Sequence, residues 1–191
     1  AVALAQSVLG VGEGDIQTVV TSAGKNVVVD PRNGPIIDEE VFDRRWHIHA
    51  ASFWQIHKRA PEIFVETVRD MANLQPDETL LDLYSGAGLF AASLAKDVGD
   101  DGEVIAVESG IDAVRDARRS CSDLPQLDLI TADVTKWLAA NSTEEFDVIV
   151  LDPPRAGAGQ VNVATIAGMA QRAIVYVACE PSALARDTAI L

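Results

Sequence analysis

The chain has 191 residues, of which 48% are hydrophobic, and this length suits one ordinary domain with or without a small appendage. The hydrophobic content is enough to build a core, so the composition excludes disordered and fibrous classes. The formal net charge of −14 excludes a uniformly basic surface for nucleic acid, so any contact with phosphate needs a local basic patch. No apolar run reaches the roughly 18 residues that a membrane span needs, so no membrane partner is expected.

The two cysteines and the first ten residues indicate the cellular compartment and the origin of the chain. The two cysteines, Cys121 and Cys179, form no CxxC pair, which excludes a disulfide framework and a cysteine-based metal cluster and fits a reducing cytoplasm. The apolar start, residues 1–10, lacks a basic region and an initiating Met. It therefore indicates a chain cut from a longer one and not a signal peptide.

Residues 1–59 are predicted to form a β-rich segment, a remnant of a neighbouring or RNA-facing subdomain. Short β-type runs at 16–21 and 26–30 are separated by clusters of turn-forming residues. A basic and aromatic stretch without helical period follows, with Arg44, Arg45, Trp46, Phe53, Trp54, Lys58 and Arg59. These side chains either contact RNA through charge and stacking or form a solvated face whose aromatics pack on the next helix.

Three histidines in the same stretch offer a metal site as an alternative. His47 and His49 alternate on a possible strand, and His57 follows them. No cysteine or carboxylate completes a tetrahedral set at suitable spacing. Ordinary surface or RNA-facing histidines are therefore favoured, and no metal is predicted.

From residue 60 to residue 191 the sequence predicts a second domain of alternating helices and strands. Its first helix, at 60–74, is expected to bury one face made of Ile63, Phe64, Thr67, Val68 and Met71. Five apolar strands follow, at 79–84, 103–108, 127–133, 146–152 and 173–179, each with a helix after it, the last still running at Leu191. This pattern implies an α/β protein with a doubly wound, Rossmann-like parallel sheet.

Polar residues follow the first three strands, at the edge where open α/β sheets bind ligands. Gly86 and Gly88 lie in a turn whose glycines let the backbone approach a ligand closely. Asp82 precedes them, where a carboxylate suits a cationic amino acid better than a pyrophosphate. Glu108 ends the second strand, where an acid can hold both ribose hydroxyls, and Asp133 follows the third, placed to meet an adenine amino group. Alternatively, Asp82 and Asp133 only cap the ends of elements.

The fourth and fifth strands supply the more specific signals. Asp152-Pro153-Pro154-Arg155 follows the fourth strand, and the two prolines stiffen a loop that holds Asp152 in a fixed direction. Cys179 ends the fifth strand just before a helix, whose N-terminus favours a thiolate. Cysteine is often only a small buried hydrophobe, which is the role assigned to Cys121. Cys179 shares an edge with Asp152 and is therefore a candidate nucleophile.

Four segments in chain order, DLYSGAG, AVE, DPPRAG and VYVACEPSALARD, resemble those of the RNA (uracil-5-)-methyltransferases, which form 5-methyluridine in tRNA and rRNA. The segment AASFWQIHKRAPEIF is similar to the part of that family ahead of the fold, so the resemblance covers roughly residues 45–191. It implies a class I methyltransferase fold, S-adenosylmethionine as cofactor and tRNA or rRNA as partner.

The resemblance also implies roles for single residues. It places Gln55, Tyr84, Gly86, Glu108 and Asp152 around S-adenosylmethionine, beside Gly88, Asp82 and Asp133. It makes Cys179 the nucleophile that attacks uracil C6. Asp152, Pro153 and Arg155 are then expected to bind and orient a base that has left its stack.

The sequence departs from the family in places that concern substrate contacts. The family usually has Ser-Cys-Asn-Pro where this chain has Ala-Cys-Glu-Pro, at residues 178–181, and a cysteine where Ser85 stands. Its general base is a glutamate expected beyond Leu191, and many members carry an N-terminal RNA-binding β-barrel that is absent here. A chain of this extent is therefore expected to bind the cofactor with little or no turnover.

Four other functions compete with this one, among them a cytosine-C5 methyltransferase, which is disfavoured because the nucleophilic cysteine of those RNA enzymes is expected elsewhere in the site. A nucleobase-amine methyltransferase on the same fold would use the Asp-Pro-Pro loop and would not need Cys179. A nicotinamide dehydrogenase fits the relaxed GxGxxA pattern of residues 86–91, but Asp82 and the Asp-Pro-Pro-Arg loop disfavour it. The last alternative is a catalytically inactive module that binds the cofactor or RNA.

Overall fold

The computed structural model describes residues 17–20, 26–29, 35–50, 52–55 and 57–191. Two short antiparallel pairs come first, β1 (Gln17–Val20) with β2 (Asn26–Val29) and β3 (Ile36–Val41) with β4 (Arg44–His49). These pairs confirm the β-rich character predicted for the N-terminal segment. The apolar start and the turns predicted around the first two β-type runs lie outside the described residues.

Five parallel strands and six helices make up the rest of the described chain. They are α1 (Ala60–Ala72), β5 (Thr79–Leu83), α2 (Leu89–Leu94), β6 (Glu103–Glu108), α3 (Ile111–Ser120), β7 (Leu127–Thr131), α4 (Val134–Ala140), β8 (Phe146–Leu151), α5 (Gln160–Met169), β9 (Ala170–Tyr176) and α6 (Pro181–Thr188). The sheet has the order β7-β6-β5-β8-β9, which confirms the predicted doubly wound fold. The strand order reverses between β5 and β8, so the loops after these strands border the expected ligand site.

β8 and β9 end earlier than the sequence predicts, which moves the candidate nucleophile into a loop. Val177 N donates to Leu151 O at 2.8 Å, and the chain after β8 then turns into Pro153 and Pro154, which have no N–H group to continue a ladder. β9 therefore stops at Tyr176, three residues before Cys179. The last helix, α6, ends at Thr188 and is followed by a turn, whereas the sequence predicted a helix that continues to Leu191.

The buried face predicted for α1 is wrong at three of its five positions. Val68 is buried and Phe64 packs partly buried against the core, whereas Thr67 is exposed and Ile63 and Met71 are 44% and 62% exposed. The helix instead buries the stripe Pro61, Val65, Val68 and Ala72. Both sets have helical spacing, so periodicity cannot choose between them, and the stripe with the smaller side chains is the one that packs against the sheet and hairpin.

The β3–β4 hairpin packs into the same hydrophobic core as the sheet. Trp46 and Ile48 have no exposed surface and cluster with side chains of α1 and β5. Polar contacts with α3 hold the chain after β4, because His49 N and Ser52 Oγ both donate to the buried carboxylate of Asp116, at 2.9 and 2.8 Å. The hairpin is thereby fixed against α3 and leads into the segment that carries Gln55.

Candidate active site

The turn after β5 has an unusual backbone. Tyr84 has a φ of +61°, and Gly86 and Gly88 have φ values of +55° and +82°, a region that favours glycine. A Cβ on Gly86 would meet no heavy atom within 4 Å, so its backbone faces open space. A Cβ on Gly88 would lie 3.4 Å from the Ala117 side chain, an ordinary van der Waals distance, so the positive φ is what favours glycine there. The turn therefore offers an approachable backbone at Gly86.

Asp82 lies within β5 and has no exposed surface. Its Oδ2 accepts a hydrogen bond from Ala91 N in the first turn of α2, at 2.9 Å, and its Oδ1 has no partner among the described residues. Burial raises the pKa of Asp82 to about 8, against the lowering effect of the Ala91 bond and with help from the charges of Asp152 and Glu108. The predicted neighbour of a cationic amino group is thus a buried acid with one free acceptor oxygen.

Glu108 ends β6 and joins two loops through its carboxylate. Oε2 accepts from Gly86 N at 3.0 Å, and Oε1 accepts from Gly110 N at 2.6 Å, where α3 begins. The exposed Ser109 hydroxyl also donates to Oε1, at 3.2 Å. Oε2 therefore carries only one hydrogen bond and keeps capacity for a ligand hydroxyl.

Asp133 is exposed and forms the N-cap of α4, where its carboxylate accepts from Lys136 N at 3.0 Å. Asp133 therefore caps a helix, which is the structural role that the sequence analysis gave as the alternative to cofactor binding. A cap engages one oxygen of the carboxylate, so contact with an adenine amino group stays a prediction.

The loop after β8 begins with a half-buried acid. Burial raises the pKa of Asp152 to about 6. Pro153 is buried, Pro154 and Arg155 are exposed, and Gly157 N closes a turn by donating to Pro154 O at 2.7 Å. The buried proline and the closed turn both restrict the backbone of this loop, which is consistent with the predicted fixed direction of Asp152.

Cys179 is an exposed, free thiol in the loop between β9 and α6. The next residue, Glu180, is the N-cap of α6 and accepts from Ser182 N and Ser182 Oγ at 3.3 and 3.0 Å. The helix N-terminus that was expected to favour a thiolate is thus capped by Glu180, and Pro181 has no N–H group to offer to Cys179. Hydrogen bonds from Ser182 and, to a smaller extent, the charge of Arg155 lower the pKa of Glu180. The electrostatic effect of Arg155 on Glu180 indicates that the loops after β8 and β9 lie on the same side of the sheet edge.

Gln55 lies on the segment between β4 and α1 and is partly buried. Trp54 beside it packs on Trp46 with ring centroids 5.7 Å apart, and both belong to the core. This favours the packed alternative for these two aromatics, whereas Phe53 is 75% exposed. The Arg44 guanidinium forms two hydrogen bonds with the Asp123 carboxylate, at 2.8 and 2.9 Å, and so is engaged within the chain.

Within the described ranges, no three His, Cys, Asp or Glu side chains are grouped so that they could hold a metal ion. His47 Nδ1 lies 2.6 Å from Asp38 Oδ1, and His57 Nδ1 accepts from Arg59 N at 3.3 Å. The helices of that same part of the chain are all too short or too polar to cross a membrane.

Several buried polar residues that the sequence analysis did not single out connect these loops. Asn162 Nδ2 lies 2.9 Å from Thr135 Oγ1, 3.0 Å from Ala158 O and 3.3 Å from Tyr84 Oη. Asp187 is fully buried and contacts the loop after β8. Its place in VYVACEPSALARD, close to Cys179, is the one sequence signal that could have drawn attention to it.

Known proteins are similar to this chain in sequence and in fold. Residues 56–178 match the family described as Methyltransferase small domain. An uncharacterized RNA methyltransferase of Streptomyces coelicolor is 41% identical over 153 residues, 80% of this chain and 33% of that protein. A 23S rRNA (uracil(1939)-C(5))-methyltransferase of Acinetobacter baumannii is 33% identical over 154 residues, 78% of this chain and 33% of that protein.

A solved structure of a uracil methyltransferase is also similar to this chain in its fold. The tRNA (uracil-54, C5)-methyltransferase of Pyrococcus abyssi, in complex with S-adenosyl-L-homocysteine, has a TM-score of 0.70 and 29% identity. The match covers 83% of this chain and 38% of that one. The chain thus spans about a third of the length of the curated relatives that it matches.

Proposed function

We propose that this chain, which belongs to the Methyltransferase small domain family, is the cofactor-binding and nucleophile-bearing part of an RNA uracil-C5 methyltransferase. Family membership confirms two predictions from the sequence, the methyltransferase class and S-adenosylmethionine as its cofactor. The proposal also includes three finer statements: the methylated atom is uracil C5, the substrate is tRNA or rRNA, and the enzyme works in the cytoplasm. The relatives named for rRNA and tRNA uracil support the choice of substrate.

The described residues fit S-adenosylmethionine at the end of β5. The open backbone at Gly86, the free capacity of Glu108 Oε2 and the unpartnered Oδ1 of Asp82 lie around a single turn. We propose that Glu108 holds the ribose hydroxyls. We also propose that the cationic amino group of the bound cofactor lowers the raised pKa of Asp82, so that Asp82 becomes a carboxylate that stabilises the amino-acid end. Gln55, Tyr84, Gly88, Asp133 and Asp152 remain the further residues that we assign to this cofactor.

The observation that carries the proposal is that Asp152 and Cys179 follow neighbouring strands at the same edge of the sheet. Leu151 pairs with Tyr176, and Val177 N still bonds to Leu151 O, so the two loops leave the sheet side by side. The charge of Arg155 on the first loop lowers the pKa of Glu180 on the second, together with the larger effect of the Ser182 hydrogen bonds. A methyltransferase that needed only the Asp-Pro-Pro loop would have no use for an exposed thiol at this place.

The proposed chemistry starts from the low nucleophilicity of uracil C5. The thiolate of Cys179 adds to C6, a bond forms between Sγ and C6, and the electron pair of the ring double bond makes C5 nucleophilic. The cofactor, when bound, would supply an activated methyl group on a sulfonium. C5 takes this methyl group as the S–CH3 bond breaks, and S-adenosylhomocysteine is the leaving group. A base then removes the C5 proton, the ring double bond forms again, and Sγ leaves as thiolate. We expect that base from a part of the enzyme outside these 191 residues.

We assign substrate orientation to the loop after β8. We propose that a carboxylate at Asp152 accepts from the N3–H group of uracil and that the exposed guanidinium of Arg155 donates to a ring oxygen or a phosphate. Pro153, buried beneath them, keeps the direction of the loop fixed. The uracil must leave its stack to reach this edge, so a loop or a flipped nucleotide is the expected form of the RNA.

The test is a methylation assay with the full-length enzyme. Unmodified tRNA and rRNA are incubated with methyl-labelled S-adenosylmethionine, digested to nucleosides and separated. We expect the label in 5-methyluridine, because C5 is the atom that a thiolate at C6 activates. Label in a methylated adenine, guanine or cytosine would mean that the fold has been assigned the wrong chemistry.

A further inference from the structure

The last turn of α6 contains a buried carboxylate that binds the loop after β8. Asp187 has no exposed side-chain surface. Its Oδ2 accepts from Ala158 N at 2.8 Å, from Tyr176 Oη at 2.8 Å and from Gly159 N at 3.3 Å. Burial raises the pKa of Asp187, but the hydrogen bonds from its neighbours outweigh this effect and the pKa lies below its usual value. The group is therefore a carboxylate that holds two backbone N–H groups of one loop.

The residue next to Asp187 adds a third contact with the same loop. Arg186 Nη2 donates to Ala156 O at 2.6 Å, and its Nε donates to Asp187 Oδ1 at 3.1 Å. Between these contacts, Gly157 has a φ of +83°, and a Cβ there would lie 2.5 Å from Asp187 Oδ2 and 2.6 Å from Arg186 Nη2. The loop fits against α6 only because this position has no side chain.

The same short helix follows Cys179 directly, so it spans both halves of the proposed substrate site. α6 begins two residues after Cys179, and its last turn reaches the loop that begins with Asp152. On the other side, Ala158 O accepts from Asn162 Nδ2, which also contacts Tyr84 in the cofactor turn. Ala158 is thus held by Asp187 through its N–H group and by Asn162 through its carbonyl.

We propose that Asp187, assisted by Tyr176, is a positioning residue that sets the distance between Cys179 and Asp152. Its effect on activity rests on the function proposed above. A reacting group displaced by about 1 Å can cost on the order of 100-fold in rate, so loss of this contact should act on the chemical step. The cofactor turn is held by Glu108 and Asp82, and its link to Ala158 is the 3.3 Å contact between Asn162 and Tyr84, so cofactor affinity should change little.

The test compares Asp187→Asn and Tyr176→Phe with Thr188→Ala in the full-length enzyme. Thr188 is the matched control, because its exposed hydroxyl bonds only within α6, to Leu184 O and Ala185 O. We expect Asp187→Asn to lower kcat about 10- to 100-fold and Tyr176→Phe about 3- to 10-fold, with the Kd for S-adenosylmethionine within twofold of wild type. Thr188→Ala should retain the wild-type kcat.

Amide hydrogen exchange in the peptide covering 156–160 gives a readout that does not depend on turnover. Faster exchange there in Asp187→Asn and Tyr176→Phe, but not in Thr188→Ala, is the expected result. Unchanged exchange, or faster exchange with unchanged kcat in an active enzyme, would overturn the positioning role. If the wild-type enzyme forms no 5-methyluridine while the exchange result holds, the proposed function fails and the contact itself stands.

Discussion

Replacing Cys179 with alanine is expected to lower methyl transfer to uridine by about 10⁴-fold or more, as removal of a catalytic nucleophile does elsewhere. Without the thiolate, nothing adds to C6 and C5 keeps the low nucleophilicity of the free base. The side chain is exposed and makes no contribution to the core, so the melting temperature and the Kd for S-adenosylmethionine should stay at wild-type values. Initial rates with labelled cofactor and full-length enzyme measure the effect.

The other cysteine is the matched control for this experiment. Cys121 is buried next to Gly88, and burial raises the pKa of its thiol to about 12, so it supplies no thiolate near neutral pH. We expect Cys121→Ala to keep kcat near wild type and to lose about 1 kcal/mol of stability. More than a tenth of wild-type activity in Cys179→Ala would exclude this residue as the nucleophile.

Replacing Glu108 with alanine is expected to weaken S-adenosylmethionine binding about 100-fold. Hydrogen bonds to a charged group contribute about 1.5–3 kcal/mol each, and about 2.7 kcal/mol corresponds to this change in Kd. The variant also removes the acceptor for Gly86 N and Gly110 N, which leaves the cofactor turn tied to β6 through the bond from Ser85 N to Val107 O. Calorimetric titration of the 191-residue chain with the cofactor measures the Kd directly.

Glu103→Ala is the control for the loss of a carboxylate on the same strand. Glu103 begins β6, is exposed, and lies at the end opposite to the glycine turn. Its removal changes the net charge by the same amount and should leave the Kd within twofold of wild type. Equal affinities for the two variants would show that the ribose hydroxyls are held by another group.

The sequence predicted the sheet well because its strands carry strong local signals. β6 has the predicted bounds, 103–108, since glycine at 102 and 110 and polar residues bracket a short apolar run. The parallel arrangement and strand order follow from helices alternating with such runs. The buried face of α1 was mispredicted, because two apolar stripes with the same spacing compete and tertiary packing decides between them.

The candidate site was predicted as far as strand ends determine it. Gly86, Glu108 and Asp152 lie at the carboxyl edge because each directly follows or ends a strand. Cys179 lies farther out than predicted, since the ladder between β8 and β9 stops where two prolines follow β8. Its neighbour Glu180 takes the helix cap, a choice that depends on loop geometry and not on residue type.

Asp187 could not be predicted by the same reasoning. A charged residue in the last turn of a short amphipathic helix is expected on the surface, because charged residues are rarely fully buried. Its partners Ala158 and Gly159 lie 29 and 28 positions earlier, and the contact exists only once β9 has brought both segments together. Such long-range polar contacts leave no periodic trace in the sequence.

Trapping the enzyme on RNA that contains 5-fluorouridine at the methylated position tests the central claim most directly. Sγ adds to C6 and C5 receives the methyl group, but C5 then carries fluorine instead of a proton, so the base cannot complete elimination and the bond between Sγ and C6 persists. Protease digestion and mass spectrometry of the full-length enzyme should find the nucleotide, with its added methyl group, on Cys179. An adduct on another residue, or no adduct in an enzyme that methylates ordinary uridine, would contradict the mechanism.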